Sequence, residues 1–228
     1  MPDIYILSSG QSNAVGREAS GNFTIDSRVS VWNNKNDVLD ATSYLGYAWV
    51  TPNLNANPFV NGCNNFAVHA ASHLAKKLDL EVGLLIVATG ALNIGNWYAA
   101  GARQWMFNRI TNVLQAAQVP SLSGFFWQQG ESDNSTNLMT YAGRWEAIKR
   151  ELRKDGFINY QTPIVMGEAS ITHPGTNAIM DYCATLDNMT MVVPCKRFAT
   201  KNDGTHFLGS EQERMGLIYA GIYMLLKR

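Results

Sequence analysis

Six short runs of β-branched and aromatic residues alternate with longer segments of helical character, and this alternation constrains the fold more than any other feature. The predicted strands occupy residues 4–9, 29–32, 82–88, 123–129, 163–168 and, with a weaker pattern, 189–194. Helices are predicted at about 65–79, 104–118, 137–154 and 209–227. Such alternation is typical of a mostly parallel sheet covered by helices on both faces. The sequence therefore predicts an α/β fold, built as a three-layer α/β/α sandwich.

The length and composition agree with one domain of this kind. The chain has 228 residues, of which 46% are hydrophobic and only 16% are charged, so it can bury a sizeable core. We find no internal repeat, no low-complexity tract and no linker that would divide it. We therefore expect a single domain over residues 1–228.

The charge balance argues against two classes of partner. Eighteen basic residues balance eighteen acidic ones, so the chain lacks the basic character that nucleic acids and anionic membranes select. The apolar stretch "GLIYAGIYMLLKR" is shorter than the roughly 20 residues of a membrane-spanning helix, and it predicts a final amphipathic helix. We expect no nucleic-acid partner and no membrane association, and the sequence leaves the oligomeric state open.

Cysteine usage and the first residues bear on the cellular compartment. Cys63, Cys183 and Cys195 are far apart and form no CxxC pair, which argues against a zinc site and a dense disulfide framework. Whether any of them forms a disulfide stays open. The start "MPDIYILSS" lacks the basic residues and the long apolar run of a signal peptide. Extracellular, virion-associated and cytoplasmic locations are all compatible with this sequence.

Four polar segments carry residues that could do chemistry. In an open α/β sheet, ligands bind beyond the carboxyl ends of the strands, so the residues that follow each strand are candidates. The first strand leads into "GQSN", where a glycine permits a sharp turn just before Ser12. The other segments are "TGALNIGNW" at 89–97, "QQGESD" at 128–133 and, near the C-terminal end, "NDGTHF" at 202–207.

Asp203 and His206 have the spacing of a general base and its orienting partner. On a tight turn, a carboxylate reaches the Nδ1 proton of a histidine three residues later, and Nε2 is then free to accept a proton. Ser12 needs such a base, because a hydroxyl alone does not attack a carbonyl near neutral pH. The resulting oxyanion needs donors, and the candidates are the backbone N–H of Ser12, that of Gly90 or Ala91, and the side-chain amide of Gln129.

These motifs together resemble a known family. "GQSN", "WQQGESD" and "DGTH", with the stretch "FAVHAASHLAKKLDLEVGLLIVATG" between the first two, resemble the blocks of the SGNH hydrolase superfamily in order and spacing. The likeness is to its sialate O-acetylesterase and acetylxylan-esterase-like branch, and it extends over nearly the whole chain. It implies a flavodoxin-like sheet of the SGNH hydrolase type. One departure is Ala91, which stands where the branch often has a second glycine.

The resemblance also implies residue roles. Ser12 would be the nucleophile, His206 the base and Asp203 its partner, while Gln129 would donate to the oxyanion in place of the superfamily's usual asparagine. The implied reaction is the hydrolysis of O-acetyl groups on a carbohydrate, of polysaccharide or sialic acid type, through an acyl-enzyme. No metal and no organic cofactor are implied.

Supporting roles are predicted for three polar residues near the serine. Glu131 is expected to hydrogen-bond the loop that carries Ser12, because the serine chemistry needs no second acid. Gln11 and Asn13 flank Ser12 and belong to the same polar cluster.

Two tryptophans are predicted to contact the sugar. Trp97 follows the third predicted strand, where a ligand would bind. Trp49 is the weaker candidate and lies in the Asn-rich segment 33–65, whose length and polarity are typical of a binding loop.

The residues leave two other functions open. A carbohydrate-binding protein on a degenerate esterase scaffold would keep the cleft without the chemistry, and a glycosidase would use Glu131 and Asp133 as its acid pair. His69 and His73 lie one helical turn apart without a third ligand, so we interpret them as part of a helix face rather than a metal site. His173, which precedes a proline, is interpreted as a loop residue.

Overall fold

A sheet of seven strands forms the centre of the computed structural model, which describes residues 1–16, 24–35, 45–52 and 64–228. Two further strands form a separate hairpin. In chain order the strands are β1 (Ile4–Gly10), β2 (Val29–Trp32), β3 (Trp49–Val50), β4 (Val82–Ala88), the hairpin strands β5 (Tyr98–Ala99) and β6 (Ala102–Arg103), then β7 (Gly124–Gln128), β8 (Ile164–Gly167) and β9 (Thr190–Val193).

The strand order in the sheet is β3-β2-β4-β1-β7-β8-β9. Neighbouring strands are parallel in every pair except β2 and β3, where the short edge strand β3 runs antiparallel to β2. After β1 the chain builds β2 and β4 on one side, and it then crosses to the other side for β7. A sheet that changes direction in this way leaves a crevice beyond the carboxyl end of its central strand. Here that strand is β1.

Within the described residues, six helices accompany the sheet, and five of them cover its two faces. They are α1 (Ser12–Val15), α2 (Phe66–Leu78), α3 (Trp105–Ala116), α4 (Leu138–Lys154), α5 (Pro174–Ala184) and α6 (Gln212–Leu226). Helices α2 and α6 share one apolar core with the sheet, and α3, α4 and α5 share the other. The predicted three-layer α/β fold is therefore confirmed. In the part of the chain that is described, no helix has the length and apolar character needed to cross a membrane.

All six predicted strands and all four predicted helices are present, with bounds that differ by a few residues. Helix α5 was not predicted, because its sequence "PGTNAIMDYCA" mixes Gly, Thr and Asn with its apolar residues and shows no clear period. Pro174 at its first turn is the signal that would have indicated it, since proline is favoured at that position.

Candidate active site

The turn from β1 into α1 depends on glycine. Gly10 has a φ of 143°, and a Cβ there would lie 1.9 Å from the backbone oxygen of Gln128 on β7. No other residue type fits so close to a neighbouring strand. The N–H of Gln11 then donates to that same oxygen at 3.0 Å, which ends the strand and places Ser12 at the first turn of α1.

Gln11 holds this turn against the loop that follows β7. Its Oε1 accepts hydrogen bonds from the Gln129 side chain at 3.1 Å and from the backbone N–H groups of Gly130 and Ser132 at 3.2 and 3.3 Å. Its Nε2 donates to the Ser132 hydroxyl at 3.2 Å. Gln11, for which a supporting role was predicted, therefore joins the serine turn to the loop that follows β7.

Asn13 holds the other side of the serine against the C-terminal turn. Its Nδ2 donates to the Glu131 carboxylate and, at 3.1 Å, to the backbone oxygen of Thr205. Its Oδ1 accepts the backbone N–H of Phe207 at 3.1 Å. The residues on either side of Ser12 therefore tie it to two distant parts of the chain, which explains why polar amides flank it.

Ser12, His206 and Asp203 form a continuous chain of hydrogen bonds. The Nε2 of His206 lies 2.8 Å from the Ser12 hydroxyl, and its Nδ1 lies 2.7 Å from the Asp203 Oδ2. The other carboxylate oxygen of Asp203, Oδ1, accepts hydrogen bonds from the backbone N–H groups of Thr205 and His206 at 2.8 and 3.0 Å. The bond from the His206 side chain, followed by that from its backbone, holds the pKa of Asp203 well below its usual range.

The turn that presents His206 is also locally determined. Gly204 has a φ of 69°, the left-handed conformation that glycine adopts at little cost. Its N–H donates to the Lys201 oxygen, while the Lys201 N–H donates to the His206 oxygen. This closed turn lets Asp203 reach Nδ1 of His206 over three residues, as the spacing predicted.

A cavity of about 260 Å³ opens directly onto the serine. The described residues that line it are mostly polar and come from the loops after β1, β4, β7 and β8 and from the C-terminal turn: Gln11, Ser12, Ala91, Glu131, Ser132, His173, Thr205 and His206. The site lies where parallel sheets bind their ligands, beyond the carboxyl ends of the strands.

Two backbone N–H groups are available at this cavity. Those of Ser12 and Ala91 bond to no acceptor in the described part of the chain, and both residues line the cavity. Gly90, the alternative donor, does not line it. Ala91 has a φ of 60°, an unusual conformation for a residue with a side chain, and it costs roughly 1–3 kcal/mol. Its methyl group stands where the related branch often has only a glycine.

The structure does not present Gln129 to the cavity, so the predicted oxyanion role of its amide was wrong. Its Nε2 lies 3.1 Å from Gln11 Oε1, 3.0 Å from the Leu92 oxygen and 2.6 Å from Asp133 Oδ2. Its Oε1 accepts the Tyr141 hydroxyl at 2.6 Å. Both amide protons are therefore used inside the protein, where Gln129 joins the loops around the site.

Glu131 makes the predicted hydrogen bond to the serine loop, through Asn13. The residue is 8% exposed, and its Oε2 is buried without a hydrogen-bond partner in the described residues. Burial raises the pKa of Glu131, and the bond from Asn13 opposes that rise.

Asp133 is fully enclosed. One carboxylate oxygen accepts the Ile94 N–H and the Gln129 amide, and the other accepts the Thr136 hydroxyl. Since Asp133 is 0% exposed, it cannot deliver a proton to a sugar, and the glycosidase alternative loses one of its two acids.

Neither predicted tryptophan meets the cavity, and both predictions were wrong. Trp97 is 0% exposed, packs on Trp127 at 5.3 Å and donates its indole N–H to Ser9. Trp49 packs on Tyr5 at 5.8 Å, near the start of β1, whereas Ser12 follows the end of that strand. A sugar at the cavity can stack on neither ring.

Other predictions concern the long segment, the cysteines and the histidines. Residues 36–44 and 53–63 of the predicted binding loop, including Cys63, lie outside the described residues. Cys183 and Cys195 are buried free thiols.

His69, one of the two histidines on α2, forms a hydrogen bond from its Nε2 to the Asn64 side chain, with a distance of 2.7 Å. Within the described ranges, no three His, Cys, Asp or Glu side chains are grouped to hold a metal ion.

His173 was interpreted from the sequence as a loop residue, and no place at the site was predicted for it. The structure places it in the cavity wall, in the segment that follows β8. The same rule that selected the residues after the other strands would have found it, but the predicted strand at 163–168 was not extended into its loop.

The fold and this arrangement define a hydrolase of the SGNH type. A family model, described as carbohydrate esterase, sialic acid-specific acetylesterase, matches residues 1–225. The chain therefore belongs to that family, and the protein is a carboxylic ester hydrolase. Among curated proteins, no sequence shows significant similarity to it.

Solved structures show the same fold at low sequence identity. A protein from Arabidopsis thaliana superimposes with a TM-score of 0.75 at 19% identity, covering 99% of each chain. A carbohydrate acetylesterase from Xanthomonas citri has a TM-score of 0.69 at 14% identity, over 98% of this chain and 56% of that one. A family two carbohydrate esterase from Cellvibrio japonicus has a TM-score of 0.57 at 16% identity, over 100% and 62%.

Proposed function

We propose that this protein is a serine esterase that removes O-acetyl groups from a carbohydrate, of polysaccharide or sialic acid type, through an acyl-enzyme on Ser12. One observation carries the proposal. The hydroxyl of Ser12 is bonded to Nε2 of His206 at 2.8 Å, and Nδ1 is bonded to Asp203 at 2.7 Å, beside a cavity that the serine itself lines. Membership of the carbohydrate esterase family supports the class of substrate.

In the first half of the reaction, the Ser12 oxygen attacks the acetyl carbonyl carbon. Its proton passes to Nε2 of His206, and Asp203 stabilises the imidazolium from the Nδ1 side. The N–H groups of Ser12 and Ala91 donate to the oxyanion. The bond from the carbonyl carbon to the sugar oxygen then breaks, and the imidazolium returns its proton to that oxygen.

In the second half, water takes the place of the sugar. His206 removes a proton from the water as it attacks the acetyl-serine, and the tetrahedral intermediate forms beside the same donors. When the intermediate breaks down, the proton on His206 passes to the Ser12 oxygen, and acetic acid leaves and releases its remaining proton to the solvent. In each half, His206 takes up one proton and returns it, so no step calls for a cofactor.

The described lining favours a short acyl group on a polar alcohol. A long acyl chain would need an extended apolar wall, because burying hydrocarbon against polar groups gains little. Here the wall is formed mainly by amide, hydroxyl, carboxyl and imidazole groups, which suit the hydroxyls of a sugar.

Replacement of Ser12 by alanine tests the proposal. We expect kcat for phenyl acetate to fall by on the order of 1,000-fold or more in Ser12→Ala, and labelling by a fluorophosphonate to disappear. The matched control is Ser121→Ala, an exposed serine outside the cavity, which should keep the wild-type rate and labelling. A folded Ser12→Ala protein with wild-type turnover would show that the reaction does not use this hydroxyl.

A further inference from the structure

His173 lines the same cavity as Ser12 and His206, and the reaction described above gives it no role. It lies at the end of the loop that joins β8 to α5, immediately before the first residue of that helix. Ser170 and Thr172 precede it in the same loop. Its Nδ1 lies 2.9 Å from the Thr172 hydroxyl and 3.1 Å from the Ser170 hydroxyl.

The positions of these hydroxyls determine which ring nitrogen carries the proton. Both hydroxyls also contact the backbone oxygen of Gly204, Thr172 at 2.7 Å and Ser170 at a shorter distance. The two hydroxyls also lie 2.7 Å from each other. Because a carbonyl oxygen only accepts, one hydroxyl proton is used at the Gly204 oxygen and the other between the two hydroxyls, so neither is left for His173. The Nδ1 of His173 must then be the donor to the hydroxyl oxygens, and in the neutral ring its Nε2 carries a lone pair.

That lone pair is free to act in the cavity. In the described part of the chain, Nε2 of His173 has no hydrogen-bond partner. Partial burial lowers the pKa of His173, which keeps the ring neutral at neutral pH. The nearby Oε2 of Glu131 also lacks a hydrogen-bond partner in the described residues, but it is buried away from solvent. His173 therefore offers an accessible acceptor close to the serine.

We propose that Nε2 of His173 accepts a hydrogen bond from a free hydroxyl of the substrate's alcohol part, next to the acetylated oxygen, and so selects acetates of polyols. The inference rests on the proposed esterase function and adds the feature of the alcohol that the site recognises. The hydroxyl must be a neighbour of the ester, because His173 and Ser12 share one small cavity. An alcohol without this hydroxyl leaves the acceptor unpaired and loses part of its transition-state binding.

Two acetates that differ by one hydroxyl test the inference. trans-2-Hydroxycyclohexyl acetate carries the neighbouring hydroxyl of a sugar ring, and cyclohexyl acetate lacks it. We expect the wild-type enzyme to prefer the first in kcat/KM by about tenfold, the gain of one good hydrogen bond. A wild-type ratio near one would overturn the inference without any variant.

Two substitutions separate the acceptor from the ring's contact with the loop. His173→Asn places an amide N–H near the position of Nδ1, so it keeps the bond to Thr172 and removes the acceptor. His173→Gln places an amide oxygen near the position of Nε2 and can restore it. We expect the preference to fall to near one in His173→Asn and to recover in part in His173→Gln, while phenyl acetate hydrolysis stays within about twofold in both.

The control is His73→Asn, the same change on α2 at a residue that does not line the cavity. An equal loss on both cyclohexyl acetates in His173→Asn would show that the ring only braces the Gly204 turn, and an unchanged preference would show no contact with the hydroxyl. Either result overturns the inference. Failure of the proposed function would look different, since Ser12→Ala would then hydrolyse phenyl acetate normally.

Discussion

Asp203→Asn should inactivate the enzyme through the position of one proton. In the structure, one carboxylate oxygen of Asp203 accepts the N–H groups of Thr205 and His206, and the other accepts Nδ1 of His206. An asparagine must keep its only oxygen toward the two backbone donors, so its NH₂ faces Nδ1. The ring then accepts at Nδ1 and carries its proton on Nε2, directed at the Ser12 hydroxyl. In that tautomer it cannot act as a base.

The size of the effect follows from these bonds. Loss of a hydrogen bond to a charged group costs about 1.5–3 kcal/mol. In the tautomer that can act as a base, the Nδ1–H of His206 would also face the NH₂ of the asparagine, and leaving these two donors without acceptors costs about 1–3 kcal/mol more. Together they correspond to a loss of roughly 100-fold to 10,000-fold in kcat. Because the asparagine keeps the backbone contacts, the turn should stay folded.

The assay is the initial rate of phenyl acetate hydrolysis near neutral pH, with urea unfolding to confirm that each variant is folded. Asp155→Asn is the matched control, because Asp155 pairs with Arg103 on the surface. We expect it to keep the wild-type rate. If folded Asp203→Asn retained more than about a tenth of the wild-type kcat, against the 100-fold minimum expected from the lost bonds, the orienting role of Asp203 would be refuted.

Two further predictions concern the walls of the cavity. Burial raises the pKa of Glu131, so the folded chain holds a proton at pH values where the unfolded chain has released it. The free energy of unfolding of the wild type should therefore fall as the pH rises above the pKa of this group in the unfolded chain. Glu131→Gln has no proton to lose there and should lack this fall. Urea midpoints at pH 5 and pH 8 check this, and parallel pH trends would contradict it. Ala91→Gly relieves the left-handed backbone and removes the methyl group, so the kcat/KM ratio of phenyl butyrate to phenyl acetate should rise by about tenfold. An unchanged ratio would place the methyl outside the acyl site.

The strands and the central site residues were predictable because their signals are local. A run such as "VGLLIVA" is apolar at every position, as a strand buried on both faces must be, and β4 is buried throughout. Asp203 and His206 form one turn of a few residues, so their spacing alone predicts the bond between them. Ser12 could be placed because it follows a strand, and the family resemblance supplied its partner.

Side chains whose role depends on competition between distant groups could not be predicted in this way. Gln129 stands at the end of a strand, as an oxyanion donor would, but Asp133 and the Leu92 oxygen bind its amide protons. Trp97 follows a strand as well, yet the apolar core takes its whole surface. A pattern identifies the loop on which a residue lies, but not the direction of its side chain, because that direction depends on every acceptor and apolar surface within reach.

The sequence by itself determined the order of strands and helices, the α/β class and three residues of the site, since periodicity and short spacings express local geometry. Only the tertiary structure decided which polar groups remain free at the cavity. It enclosed Gln129 and Trp97, it left Trp49 away from the cavity, and it brought His173 into the cavity wall just before a helix that the pattern did not show. The physical reason is that hydrogen-bonding capacity and space are shared among residues far apart in the chain, so their allocation is settled only when the chain has packed.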